Sequence, residues 1–68
     1  MNEKTPTENY QLLMQFTKNR ESAAYTYSRM LREPEGAVDI GEVERTMLTR
    51  WSESGVNHIR RLARRRHL

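Results

Sequence analysis

The apolar positions of residues 6–32 recur with the spacing of an α-helix. On a wheel of about 100° per residue they fall within one arc of about 140° that stays continuous along the segment. Thr5, Pro6 and Glu8 suit a helix start, because threonine caps, proline fits the first turn and glutamate completes a capping box. We therefore predict one long helix over 6–32. Its apolar face comprises Leu12, Leu13, Phe16, Thr17, Ala23, Ala24, Tyr27, Met30 and Leu31.

The weak point of this long helix is Asn19-Arg20-Glu21. Arg20 falls inside the apolar arc, where a charged side chain is unfavourable unless it is paired. A break at this point would divide the segment into two shorter helices. Four helices are therefore the alternative to three.

A turn and a second helix follow Pro34. Proline disfavours helical backbone in the residue before it, and Glu33-Pro34-Glu35-Gly36 has Pro and Gly at the positions a type I turn favours. Asp39 then caps a helix, with Glu42 in the capping-box place. We predict this helix over about 40–52. Its apolar stripe is Ile40, Val43, Met47, Leu48 and Trp51.

The last predicted helix covers about 55–66. Ser52-Glu53-Ser54-Gly55 predicts a tight corner before it, in which Gly55 closes the preceding helix or Ser54 caps the next one. One side of the last helix is apolar, and the other is rich in arginine. The prediction is an all-α fold, a small three-helix or four-helix bundle forming one domain over 1–68 with residues 1–5 disordered.

The length and composition of the chain restrict its class. A chain of 68 residues buries a modest core, so a homodimer is a reasonable expectation. There are no cysteines for disulfides or thiolate ligands, and no apolar run reaches the length of a membrane span. The first residues lack the apolar stretch of a secretory signal. We expect a soluble, intracellular, cytoplasmic protein.

The net charge of +3 hides a strong polarity along the chain. Residues 1–34 carry five basic and four acidic side chains, and residues 35–54 carry two basic and five acidic ones. Residues 55–68 carry five arginines and no acid, so their charge is +5. Such a local excess indicates a negatively charged partner more directly than the overall charge does.

The arginines of the last helix lie opposite its apolar residues. Arginine pairs with phosphate in a bidentate manner and can also contact guanine edges. We predict that nucleic acid binds here, with DNA slightly favoured over RNA. An acidic protein, a membrane surface, a merely solvated face, or pairing with Glu42, Glu44 or Glu53 are the alternatives. The predicted contact residues are Asn57, His58, Arg60, Arg61, Arg64 and Arg65.

The last two helices and their corner have the lengths of a helix-turn-helix motif. The arginines lie late in the final helix, where contacts with phosphate are favoured over contacts with bases. An arginine-rich helix in an RNA groove fits the same pattern. The expected role is that of a regulatory or accessory factor, for example in transcription, and binding to nucleic acid would place it in the nucleoid or the nucleus. The chain does not match the residue pattern of a homeodomain, a ribbon-helix-helix repressor, a zinc finger or an RNA-recognition motif.

The residues needed for catalysis are scarce. The histidines are His58 and His67, the one aspartate already serves as a cap, and the three glycines are scattered and form no phosphate-binding loop. No group of side chains has the spacing of a metal site. We expect no enzyme activity, no cofactor and no small-molecule substrate.

The aromatic residues suggest a second kind of surface. Trp51 lies on an apolar stripe, so we expect it in the core. Tyr10, Met14 and Tyr25 project away from the main apolar arc of the long helix and predict a surface for a dimer or another partner. The alternative function is therefore a protein-interaction module, an adaptor or inhibitor that docks through the long helix or the basic helix.

Overall fold

A computed structural model describes residues 5–67, with the side chain of His67 excepted. The predicted disorder of residues 1–5 therefore lies outside the described residues, apart from Thr5. Four helices and no strand occur in the described part of the chain. They are α1 (Pro6–Phe16), α2 (Arg20–Leu31), α3 (Ile40–Leu48) and α4 (Glu53–His67). The all-α prediction is confirmed, in its four-helix form.

The prediction of one long helix over 6–32 is wrong, because the helix is interrupted between Phe16 and Arg20. Thr17 has extended backbone angles, and its hydroxyl donates to the Met14 carbonyl over 2.8 Å. Asn19 then caps α2 by accepting the Ser22 amide over 2.8 Å, while the Ser22 hydroxyl pairs with the backbone of Asn19. Threonine and asparagine form these local bonds readily and are weak helix formers, so the break is locally stabilised.

The break also changes which side chains are buried. Of the partner surface predicted at Tyr10, Met14 and Tyr25, Tyr10 and Met14 lie instead in the core with 9% and 1% of their surface exposed, and Tyr25 is exposed. Phe16 and Leu13 were predicted to be buried but are 76% and 50% exposed. The three non-helical residues uncouple the rotation of α1 from that of α2. A wheel drawn for one straight helix therefore assigns the faces of α1 incorrectly.

The turn after α2 begins one residue later than predicted, and its backbone is that of a type II turn where a type I turn was predicted. It spans Pro34–Ala37, closed by the Ala37 amide donating to the Pro34 carbonyl over 3.0 Å, and Gly36 has a φ of +86°. A positive φ at the third residue is what a type II turn requires, and glycine adopts it without steric cost. Asp39 caps α3 by accepting the Glu42 amide, as predicted.

The corner before α4 lies earlier than expected. The α3 helix ends at Leu48, so the predicted helix over 40–52 is four residues too long, and Trp51 lies in the corner. The α4 helix begins at Glu53, where the Ser52 hydroxyl accepts the Gly55 amide over 3.3 Å. Neither the predicted Ser54 cap nor the Gly55 helix end occurs. Glu53, Ser54 and Gly55 instead form the first turn of α4.

The core lies between α2 and α4, which make the most extensive helix contact, with α1 and α3 packed across it. Arg20 lies beside His58, and Arg32 reaches the backbone of Arg66, so α2 and α4 run parallel. This places the carboxyl ends of α2 and α4 together. The buried apolar residues are Tyr10, Met14, Ala23, Ala24, Tyr27, Met30, Val43, Met47, Val56, Ile59 and Ala63.

Candidate nucleic-acid interface

One face of α4 is buried and the opposite face is basic. Val56, Ile59 and Ala63 are at most 1% exposed, because they pack against α2 and the rest of the core. The residues that follow at helical spacing on the other side are exposed arginines. We call these three residues, Arg61, Arg64 and Arg65, the basic ridge.

Arg60 does not belong to the basic ridge, although the sequence predicted it as a contact residue. Its Nη2 and Nε atoms lie 2.7 and 3.1 Å from the two carboxylate oxygens of Glu44 on α3. Its Nη1 atom donates to Asn57 over 2.7 Å. Arg60 therefore holds α4 to α3, which was the alternative role foreseen for part of the cluster.

Glu44 is the centre of this small polar network. The Tyr27 hydroxyl donates to Glu44 Oε2 over 2.7 Å, in addition to the two bonds from Arg60. The hydrogen bond from Arg60 is the main cause that lowers the pKa of Glu44, against the opposing effect of burial. Burial, followed by the hydrogen bond to Glu44, raises the pKa of Tyr27 to about 12. The network is therefore a carboxylate, a neutral phenol and a guanidinium at neutral pH.

The other two predicted contact residues in the first half of α4 also have partners in the fold. The Asn57 side-chain oxygen accepts from Arg60, and His58 Nδ1 lies 3.1 Å from Arg20 Nη1. Of the six predicted contact residues, the structure thus places three on the exposed ridge. Asn57, His58 and Arg60 make contacts with neighbouring side chains.

The tertiary structure adds arginines that the sequence prediction missed. Arg32, which follows α2, donates from Nη2 to the Arg66 carbonyl over 3.1 Å, and both side chains are exposed. This contact brings a second helix end with its own arginine to the carboxyl end of α4. The sequence shows two arginines, Arg29 and Arg32, at the end of α2. Only the parallel packing of α2 and α4 shows that this end of α2 lies beside the arginines of α4.

The basic ridge carries positive charges that are not paired with carboxylates among the described residues, which is unusual for a face that is only solvated. Within the described residues, the ion pairs are Arg60–Glu44 and Arg45–Glu42, and neither involves the ridge. Like charges at i, i+3 and i+4 repel each other, although cations near a helix carboxyl end are favoured by the helix dipole. The ridge therefore concentrates positive charge on a helix whose other side is anchored in the core.

Neither a metal site nor a membrane-spanning helix is found in the described part of the chain. No group of three or more His, Cys, Asp or Glu side chains in the part of the chain that the structure describes could hold a metal ion. No described helix is long and apolar enough to cross a membrane. No protein-family model matches the chain, and no curated protein or solved structure matches it either.

Proposed function

We propose that this protein binds nucleic acid through the basic ridge, with duplex DNA favoured over RNA, and acts as a small regulatory or accessory factor. Transcription is a process in which such a factor would serve, and the protein would then be found in the nucleoid or the nucleus. The support comes from the arrangement of α4. It is anchored through its apolar face and through Arg60, and it presents arginines from the opposite side.

The observation that carries this proposal is the contrast in partners between Arg60 and the ridge. Arg60 is engaged with Glu44, whereas Arg61, Arg64 and Arg65 have no carboxylate within ion-pairing distance among the described residues. Three guanidinium groups at i, i+3 and i+4 on an anchored helix are already spaced before a ligand arrives. Such preorganisation lowers the entropic cost of binding a polyanion.

Contacts with phosphate are favoured over base reading. The basic ridge lies in the second half of α4, while a helix-turn-helix protein reads bases with the first residues of its second helix. In this chain those positions include the acidic Glu53, together with Asn57 and His58, which contact Arg60 and Arg20. The corner at 49–52 has the length of such a motif. We therefore propose helix-turn-helix-like docking with weak sequence preference.

The salt dependence of binding tests this proposal. If each ridge arginine neutralises one phosphate of duplex DNA, log affinity should fall with log salt with a slope of about −2.7. The double variant Arg61→Ala/Arg64→Ala should reduce the magnitude of that slope to about 0.9. Fluorescence anisotropy with a labelled duplex across a salt series gives both slopes.

The matched control removes the same charge elsewhere. Lys18 and Arg45 are exposed and lie outside α4, so Lys18→Ala/Arg45→Ala changes the net charge equally without touching the ridge. This control should keep the slope of the unaltered protein. Equal slopes for all three proteins, or no binding by the unaltered protein at low salt, would contradict the proposal.

A protein-interaction module is the second candidate function, and one observation favours it. Phe16 and Leu13 are exposed beside Thr17 and Thr26 at the α1–α2 break, where they line a cavity of about 390 Å³. Exposed large apolar side chains next to a groove are typical of protein contacts, including homodimers. Light scattering of the unaltered protein and of Phe16→Ser tests it, with a change in oligomeric mass as the supporting result.

A further inference from the structure

A second cluster of aromatic and charged side chains lies at the opposite end of α4 from the Arg32–Arg66 contact. It surrounds an open cavity of about 600 Å³ between the beginning of α2 and the corner before α4. Sites for small molecules commonly occupy about 300–1,000 Å³, so the space is adequate for one nucleotide. The residues that line it are Asn19, Arg20, Glu21, Trp51 and His58.

The contact between Arg20 and His58 defines the chemistry of one wall. Arg20 Nη1 lies 3.1 Å from His58 Nδ1, and a guanidinium group can only donate hydrogen bonds. Arg20 is exposed and retains four further N–H donors, which suit a phosphate group.

Trp51 also lines the cavity. Its side chain is half-buried and packs against the core, and the guanidinium carbon of Arg50 lies 5.5 Å from the ring centre. Gly55 permits this arrangement, because a Cβ at that position would lie 3.0 Å from Trp51 Cβ and 3.5 Å from Arg20 Nε. An indole beside guanidinium groups can stack with a base while the cations take its phosphate.

His58, which lines the cavity, lies on the same side of α4 as part of the basic ridge. His58, Arg61 and Arg65 are spaced i, i+3 and i+7, so they follow one side of the helix. The seven residues from His58 to Arg65 correspond to about 10 Å along the helix axis. A strand whose phosphates contact the ridge can therefore reach the cavity within one or two nucleotides.

We propose that the cavity at Arg20, Trp51 and His58 receives one unpaired nucleotide of the nucleic acid bound on the ridge. The base stacks on Trp51, and its phosphate contacts Arg20. Glu21 repels phosphate but accepts N–H groups, which guanine offers on its pairing edge. A base inside a duplex cannot enter such a recess unless it leaves the stack. This inference rests on the proposed function and specifies the kind of nucleic acid.

Three DNA hairpins with the same stem test the proposal. One is fully paired, one has a single unpaired guanine, and one has an abasic residue at the same place. Stacking on one aromatic side chain predicts roughly tenfold tighter binding of the guanine hairpin than of the other two. Trp51 is the only tryptophan, so its fluorescence should be quenched by the guanine hairpin alone.

Two variants locate the effect. Arg20→Gln should lose most of the preference for the guanine hairpin while keeping its affinity for the paired stem. Arg45→Gln, the same change at an exposed position outside the cavity, should keep the preference. Trp51→Leu should lose the preference as well, and Arg20→Gln decides the matter if Trp51→Leu does not fold.

The outcomes separate this inference from the function on which it depends. Equal affinity for the three hairpins with unchanged Trp51 fluorescence overturns the nucleotide cavity and leaves phosphate binding by the ridge intact. A preference that survives Arg20→Gln also overturns it. Failure of every hairpin to bind overturns the proposed function together with this inference.

Discussion

Both halves of α4 carry polar or basic side chains, but these side chains have different surroundings. In the first half, Asn57, His58 and Arg60 contact side chains of the fold. In the second half, Arg61 and the arginines after it face solvent. Arg60 and Arg61 are neighbours in sequence, but about 100° of helix rotation turns one toward Glu44 and the other away. Residue type alone therefore does not separate a structural arginine from one available for a ligand.

This difference implies that stability and binding can be altered separately. Changes in the first half of α4, or in the residues it contacts, should lower the free energy of unfolding. Changes on the basic ridge should alter binding to polyanions and leave the fold nearly unaffected. The following predictions test that separation, from the largest expected effect on stability to the smallest.

The largest effect is expected for Ile59→Ala. Ile59 is fully buried in the first half of α4, and truncating such a side chain loses both its burial and the packing of the cavity left behind. The free energy of unfolding should fall by about 3 kcal/mol, a large share of the stability of a domain of this size. Urea denaturation followed by circular dichroism measures it. A loss below about 1 kcal/mol would contradict the anchoring of this half.

The next effect concerns Tyr27 at alkaline pH. Its pKa is raised from 10.0 to about 12, so between these values the folded protein keeps a proton that the unfolded chain releases. Raising the pH through this window therefore favours unfolding and should remove roughly 2 kcal/mol of stability. Denaturation at several pH values should show this decline. Tyr27→Phe should reduce it, and Tyr25→Phe, at an exposed position, should not.

A smaller effect is expected for Glu44→Gln. The variant leaves an acceptor for Tyr27 but removes the charge that pairs with the half-exposed Arg60, so the loss should be about 1 kcal/mol near neutral pH. Because the pKa of Glu44 is lowered in the fold, its contribution is present above the unfolded value of 4.5 and is lost as pH falls through the folded value. Below that pH the variant and the unaltered protein should be equally stable. Glu35→Gln, at an exposed position, is the control.

The smallest effect on stability is expected on the basic ridge. Arg64→Gln removes an exposed charge that repels its neighbours, so the free energy of unfolding should change by less than about 0.5 kcal/mol. The same variant should weaken binding to duplex DNA at low salt. A stability loss comparable to that of Glu44→Gln would mean that Arg64 is structural, and the contrast between the two halves of α4 would then be wrong.

Local signals in the sequence predicted several parts of the fold correctly. Asp39 caps α3, Thr5 caps α1 by accepting the Glu8 amide, and the apolar stripe of α4 is the one that packs. These features depend on residues three or four positions apart, so periodicity and capping rules suffice to find them. The alternative break predicted at Asn19-Arg20-Glu21 lies close to the observed one, which covers residues 17–19 and ends before Arg20.

The predictions were wrong where the angle between two helices, or the residue at which a helix ends, depends on contacts between residues distant in the sequence. The continuity of one apolar arc across 6–32 suggested a straight helix. Because the chain breaks instead, the faces of α1 predicted to be buried and exposed are largely exchanged. Trp51 was predicted on a helix but lies in a corner, because α3 ends at Leu48. In the candidate interface, the position of Glu44 beside Arg60 depends on how α3 crosses α4, which no local pattern contains.

The sequence by itself determined that this protein is helical, where α1 and α3 begin, and that its final helix has an apolar side and an arginine side. Those properties follow from the chemistry of neighbouring residues. Only the tertiary structure decided which arginines remain available, by bringing Glu44 to Arg60 and by placing Arg32 beside Arg66. It also brought Arg20, Trp51 and His58 around one cavity. Arg20 is far from Trp51 and His58 in the chain, and the packing of α2 parallel to α4 brings it to them.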